Sequence, residues 1–179
     1  MVKWQLMVSE EAWGLQPFAA LLKRDKSKGK AVANAEVLFV WYYCDIKSNY
    51  LHMKEEDRTK EIINDIPSLP DGWERDELID EAIRFYKKFD SVLVYLYKQA
   101  LSSAYAVGDY LSNTAALLNE RDLRGTPVTK IADITRGLKD IKIIIKELKG
   151  TEKEVIKEEE DNANKTKGSR TFNLFEDGL

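Results

Sequence analysis

The sequence predicts an all-α fold, a multi-helix bundle with a long C-terminal helix and an extended C-terminal tail. Apolar residues recur three and four positions apart in successive segments, as expected for helices with one buried face. Helix breakers are scarce, with 4 Pro and 9 Gly in 179 residues. The chain becomes polar near its end, so we predict a helical domain over residues 1–161 and an extended polar tether with a docking peptide over residues 162–179.

The first predicted helix runs from Pro17 to about Asp25. Proline is favoured in the first turn of a helix, where its missing N–H costs nothing. Phe18, Leu21 and Leu22 follow at helical spacing.

A second helix is predicted from about Lys28 to Asp45, at the centre of the bundle because it is apolar nearly all round. Within it, the aromatic and β-branched run Val37–Tyr43 also fits a buried strand, since periodicity alone does not separate the two in so short a run. The good helix formers ahead of it, from Ala31 to Glu36, extend the segment without a breaker and favour the helix.

Three further segments have helical spacing: 55–66, which begins with an acidic first turn, 76–89 and 92–113. The sequence leaves open whether the last two join or break near Asp90 and Ser91.

From Lys130 onward, apolar residues fall alternately three and four apart and form a heptad seam. Its members are Ile131, Ile134, Leu138, Ile141, Ile145, Leu148 and Val155. Such a seam packs either against its own bundle or against another chain, and in the second case Ile141, Ile145 and Leu148 are partner-binding residues. Beyond Gly150 the sequence is acidic and then polar, and we expect it to bury no core.

Apolar residues return at the C-terminus, as Phe172, Leu174, Phe175 and Leu179. Because these apolar residues follow a polar tether, they predict a docking peptide for a partner protein.

The residue counts argue against catalysis and metal binding. One cysteine, Cys44, and one histidine, His52, are too few for a disulfide or a clustered zinc site. Cys44 at the end of an apolar helix is typical of a small buried residue, and the glycines form no phosphate-binding loop. The sequence therefore predicts no enzyme, no cofactor and no metal.

A formal charge of -3 is unlike that of a general nucleic-acid-binding protein. One basic run could contact an acidic partner or nucleic acid, or could be a solvated loop: Lys23, Arg24, Lys26, Lys28 and Lys30. The longest apolar stretch, Val37–Cys44, is too short for a transmembrane helix, so no membrane association is expected.

Four short motifs occur along the chain: Tyr42–Ser48, Glu55–Arg58, Glu81–Lys88 and the terminal Leu174–Asp177. They resemble small virion proteins of tailed bacteriophages of the crAss-like group. The resemblance implies a structural role in the virion, with the protein made in the host cytoplasm. It implies a ring or adaptor of the portal-tail (head-to-tail connector) assembly, or else a protein that decorates the capsid. The implied partners are copies of the chain in a cyclic homo-oligomer and the portal or neighbouring tail and capsid proteins. Nucleic acid is not expected as a partner, apart from non-specific contacts with packaged DNA.

A second resemblance lies in Thr171–Phe175, which is similar to the Gln-Leu-x-Leu-Phe peptides that dock on bacterial sliding clamps. Thr171 stands where those peptides favour glutamine. This resemblance implies an accessory factor of DNA metabolism.

Overall fold

The computed structural model describes residues 7–165 and 175–176, and it confirms the all-α fold. Helices form most of the described chain. A two-residue strand, β1 (Met7–Val8), pairs antiparallel with β2 (Phe175–Glu176), and Val8 lies opposite Phe175. The chain divides into two compact units: unit 1 is residues 1–91 with 162–179, and unit 2 is residues 92–161.

Unit 1 begins with a short helix, α1 (Glu10–Trp13), which the periodicity did not predict. The Ser9 side chain caps it by accepting a hydrogen bond from the Ala12 N–H. The next helix, α2 (Phe18–Arg24), follows Pro17, so the predicted helix over 17–25 is confirmed within one residue at each end.

The central helix, α3 (Ala31–Cys44), confirms the helical interpretation of the aromatic run. The predicted start at Lys28 is wrong, because Gly29 and Lys30 adopt positive φ angles of 68° and 57°, which an α-helix does not contain. Asp25 replaces the missing turn by accepting hydrogen bonds from the N–H groups of Ala33 (2.8 Å) and Ser27 (2.6 Å).

Two more helices complete unit 1, α4 (Glu55–Asp65) and α5 (Glu77–Lys87), both as predicted. α3 contacts α2, α4 and α5, which confirms its predicted central place. Its fully buried aromatic and aliphatic side chains, among them Phe39 and Val37, pack against Phe18 of α2, Ile62 of α4 and Ile79 of α5.

Unit 2 contains α6 (Val92–Ser112), α7 (Thr114–Asn119) and all but the last four residues of the long α8 (Ile131–Lys165). α6 is separate from α5, which settles the boundary near Asp90. α8 continues four residues past the predicted end of the helical domain at 161, and the division into domain and tether itself stays a prediction. Beyond Gly150, where the sequence predicts no buried core, the seam residue Val155 is 0% exposed.

α6 and α8 approach each other at two places and run antiparallel. A Cβ atom on Gly137 would lie 3.0 Å from Leu111 Cδ1, so these two residues are in contact. Near the other end, burial and then the charge of Glu152 raise the pKa of Tyr97. Because Leu111 follows Tyr97 in α6 while Gly137 precedes Glu152 in α8, the two helices form a hairpin.

Over the residues described, α1 to α8 include no helix with both the length and the hydropathy that crossing a membrane requires.

Candidate functional site

The heptad seam of α8 divides lengthwise into two stripes with different surroundings. We call Ile134, Ile141, Leu148 and Val155 the inner stripe, because Ile134 (5% exposed) and Val155 (0%) are buried and the other two are half-buried. Its residues lie on the side of α8 that carries Gly137, which contacts Leu111 of α6. The inner stripe is therefore the covered side of α8.

The outer stripe consists of Ile131, Leu138 and Ile145. These side chains are 70%, 55% and 46% exposed. They recur every seven residues, so they lie along one line of the helix surface beside the inner stripe. One half of the predicted seam is thus used inside the chain, and the other half is open.

Exposed apolar side chains continue over the rest of unit 2. On α6, in the following connection and on α8 they are Val92, Tyr95, Leu96, Tyr105, Val107, Tyr110, Leu123, Val128, Ile143 and Ile144. The buried apolar side chains that the structure describes in unit 2 are fewer: Val94, Tyr97, Leu111, Ile134 and Val155. Single exposed apolar residues are ordinary, but this density over one helical hairpin is typical of a protein–protein contact surface.

The predicted partner-binding residues fall into four groups. Ile145 belongs to the open outer stripe, whereas Ile141 and Leu148 are half-buried in the inner stripe. Phe175 lies in β2, paired with Val8 of β1. Phe172, Leu174 and Leu179 lie outside the described residues, so the docking peptide stays a prediction.

The residues of the predicted basic run differ in their contacts, and their role in binding a partner stays a prediction. Arg24 donates hydrogen bonds to the buried Glu36 (2.6 Å) and to Asp76, so it joins α2, α3 and the start of α5. Lys30 donates a hydrogen bond to the Asp25 carbonyl oxygen. Lys23, Lys26 and Lys28 are exposed. The sequence missed the role of Arg24 because Glu36 and Asp76 come from distant parts of the chain.

Glu36 is the most buried of the carboxylates described, at 2% exposure. Its Oε1 accepts hydrogen bonds from Arg24 and from Trp73 Nε1 (3.1 Å). Its Oε2 is buried without a hydrogen-bond partner among the described residues. Arg24 and Trp73 thus hold the one carboxylate oxygen that is bonded, and the group fixes the packing of α2 and the segment before α5 on α3.

A second polar cluster surrounds Tyr43 at the end of α3. The Tyr43 hydroxyl donates to Glu55 Oε1 (2.5 Å) and accepts from Arg75 Nη1 (2.9 Å). Arg75 also donates to Asp80, and its guanidinium lies 4.8 Å from the Tyr43 ring centroid. Arg58, which is stacked on the same ring at 5.3 Å, donates to the Leu51 and Met53 carbonyl oxygens.

This cluster acts as a cross-link between α3, α4 and α5. Burial, and then the hydrogen bond to Glu55, raise the pKa of Tyr43 to about 12. The hydrogen bond from Tyr43 is the main reason why the pKa of Glu55 lies below its ordinary value. The two carboxylates near Tyr43, Glu55 and Asp80, are both engaged by Arg75.

The residues singled out for chemistry occupy ordinary positions. Cys44 is buried at the end of α3, as expected for a small apolar residue. His52 is exposed in a turn between α3 and α4. In the part of the chain that the structure describes, no three His, Cys, Asp or Glu side chains are grouped so that they could hold a metal ion.

The fold and its surface define an all-α protein with a densely packed first unit and a helical hairpin that exposes apolar side chains. Comparison of the chain with protein-family models, with curated proteins and with solved structures found no match.

Proposed function

We propose that this chain is a non-enzymatic structural subunit that assembles with copies of itself through the α6–α8 hairpin. In the particular form that the motif resemblance favours, it is a ring or adaptor protein of the head-to-tail connector of a tailed-phage virion. Its other partners are then the portal and the neighbouring tail or capsid proteins.

The observation that carries the proposal is the open outer stripe of α8. Burying a large aliphatic side chain contributes roughly 1.5 to 3 kcal/mol relative to leaving it in water. Leu138 and Ile145, each about half exposed, therefore forgo a sizeable stabilisation in the isolated chain. A neighbouring subunit that covers the stripe would recover it.

The virion part of the proposal is supported by the resemblance of the motifs around Tyr42–Ser48 and Leu174–Asp177. A structural role also agrees with how the polar groups of unit 1 are used. The hydrogen bond between Arg24 and Glu36 joins α2 to α3. The bonds from Trp73 to Glu36 and from Arg75 to Tyr43 join the segment before α5 to α3.

The test combines two mass measurements. Analytical ultracentrifugation of the full-length chain over a wide concentration range should show a defined oligomer, and Leu138→Asp should shift it toward monomer. Lys60→Asp is the matched control, because it also places an aspartate on an exposed helix position, in α4 of unit 1. Circular dichroism checks that all three chains are equally helical.

Quantitative mass spectrometry of purified virions then gives the copy number per particle. A copy number equal to the ring order seen in ultracentrifugation supports the connector. A copy number that follows the major capsid protein would move the subunit to the capsid. A chain that stays monomeric at every concentration and is missing from virions would contradict the proposal.

A further inference from the structure

The outer surface of α8 carries an acidic stripe with a strict period. Acidic residues recur every seven positions over the whole helix: Asp133, Asp140, Glu147, Glu154 and Asp161. All five are exposed. In a helix this period puts them along one line, parallel to the apolar stripes. We call them the acidic stripe.

A row of lysines lies elsewhere on the same helix. Its members are Lys139, Lys142, Lys146, Lys149 and Lys153, all exposed. Each follows the previous one by three or four residues, the spacing at which like charges on a helix repel. We call this row the basic flank. Its mutual repulsion is relieved when an acidic partner lies against it.

The acidic stripe and two lysines of the basic flank, Lys142 and Lys149, lie on opposite sides of the hairpin plane, and the other three lysines of the flank lie on the side of α8 that is turned away from α6. On a heptad wheel, the inner stripe and the Gly137 position share the side that faces α6. The outer stripe lies next to the inner stripe on one side, and the basic flank follows it. The acidic stripe lies on the other side, next to the Gly137 position. α8 therefore shows an apolar and basic edge in one direction and an acidic edge in the other.

From these opposite edges we infer that α8 helices of neighbouring copies pack side by side and parallel. The outer stripe and basic flank of one copy lie against the acidic stripe of the next. The inference rests on the proposed function, since it names the contact through which the copies assemble. Such a contact uses two different surfaces of one chain, so it builds a ring when the rotation between copies closes, and not a two-fold pair.

The heights of the charges fit a ring with α8 along its axis. Rotation about that axis keeps every residue at its own height. Lys142 is then about 3 Å along the helix from the neighbour's Asp140, and Lys149 is equally close in height to the neighbour's Glu147. Both pairs face each other without a shift of one copy along the axis.

A second copy fits these observations better than another polyanion does. Nucleic acid or an anionic membrane surface would neutralise the basic flank, but the phosphates would be repelled by the acidic stripe of the same helix. The acidic stripe supplies the complementary charge at the same period as the lysines, and a protein helix can also cover the outer stripe.

The test uses charge reversal in the full-length chain. One variant carries Lys142→Glu and Lys149→Glu, a second carries Asp140→Lys and Glu147→Lys, and a third carries all four substitutions. We expect each double variant to assemble about tenfold more weakly or worse, because each interface loses two attractive pairs and gains two repulsive ones. The four-substitution variant should recover assembly to within about threefold, and the two double variants should co-assemble when mixed.

Lys23→Glu with Lys26→Glu is the matched control. It reverses two exposed lysines of unit 1 and changes the net charge by the same amount, and it should assemble like the original chain. Circular dichroism checks helicity in every variant, and the four-substitution variant guards against simple misfolding of the doubles.

The outcomes separate the two proposals. If the original chain assembles and both double variants assemble equally well, the α8 contact is wrong while the proposed function stands. If the original chain never assembles, the proposed function is wrong as well. If Lys142→Glu with Lys149→Glu abolishes binding to duplex DNA or phosphatidylserine vesicles without weakening assembly, the occupant is a polyanion and the inference is overturned.

Discussion

Arg24 shows how one side chain of a charged run can have a structural role that its neighbour lacks. Its guanidinium bonds to Glu36, a carboxylate that is almost fully buried, whereas Lys23 next to it is exposed. A buried carboxylate that loses its cation keeps the cost of its own desolvation. The two adjacent residues therefore form a natural matched pair for substitution.

We expect Arg24→Met to lower the free energy of unfolding by about 2 to 3 kcal/mol, since Glu36 would keep its bond from Trp73 and lose its charged partner. Lys23→Met should change it by less than about 0.5 kcal/mol. Urea denaturation followed by circular dichroism measures both. Equal values for the two variants would show that the Arg24–Glu36 contact does not stabilise unit 1.

Tyr43 predicts how unit 1 responds to alkaline pH. Burial, and then the hydrogen bond to Glu55, raise its pKa to about 12, above the ordinary value of 10.0. The folded state thus favours the neutral phenol. This contribution to stability is fully present below pH 10.0 and is lost as the pH rises through about 12.

Tyrosinate absorbance should therefore show a fraction that titrates late, and Tyr43→Phe should remove part of it. Tyr50 should contribute the other part, because burial and the hydrogen bond to Asp65 raise its pKa to about 12 as well. Tyr50→Phe is the parallel variant. A late fraction that is unchanged in Tyr43→Phe would contradict the burial of this hydroxyl.

At the scale of the element, α8 separates stability from assembly along its length. Ile134 of the inner stripe and Leu138 of the outer stripe are one helical turn apart and differ mainly in exposure, 5% against 55%. A buried aliphatic side chain leaves a cavity when it is truncated, and an exposed one does not. Substitution of each by alanine should thus affect different measurements.

Ile134→Ala should lower the free energy of unfolding of the monomer by about 2 to 4 kcal/mol, and Leu138→Ala should lower it by less than about 0.5 kcal/mol. Leu138→Ala should instead weaken the oligomer in ultracentrifugation. If the two variants showed the same loss of stability and the same weakening of the oligomer, the two stripes would be equivalent, which would contradict the structure.

The sequence predicted the helices well where apolar spacing extends over two turns or more, as in α3, α5 and α8. It missed α1 and α7, which are too short to show a period, and the β1–β2 pair, which joins the two ends of the chain. The predicted start of α3 was wrong because the left-handed turn at Lys30 depends on the hydrogen bond between Asp25 and Ala33. Such a cap is a tertiary contact without its own motif.

The candidate interface was predicted in part. The heptad spacing predicted both stripes of α8, but spacing alone does not show that Ile134 is buried and Leu138 is exposed. Their difference arises from α6, whose Leu111 lies against Gly137 and covers one side of the seam. Residues on α6 such as Tyr95 and Tyr110 were not singled out, because an apolar helix does not show from its sequence which of its sides is left uncovered.

For the whole molecule, the two units differ in how densely their apolar side chains are buried. The core of unit 1 joins α2 to α5 around α3, whereas unit 2 leaves many large apolar side chains exposed. Local unfolding is easiest where few apolar contacts hold a segment. Unit 2 is therefore the less stable part of the free chain.

Hydrogen exchange should show this difference directly. In dilute, monomeric protein the amides of α3 should exchange slowest, and those of α6 and α8 should exchange markedly faster. Raising the concentration until the chain assembles should slow exchange in α6 and α8 and leave α3 unchanged. Uniform protection across both units at low concentration would argue that unit 2 needs no partner.

Because the inner stripe runs unbroken from Ile134 to Val155, burial of its four side chains depends on the number of residues between them along α8. A single residue inserted between Lys146 and Glu147 turns everything after it by about 100° and carries Val155 out of its buried position. An insertion of seven residues restores the angle and adds about 10 Å of length. The shorter insertion should therefore be the more damaging one to thermal stability, and natural length variation in this helix should come in steps of seven.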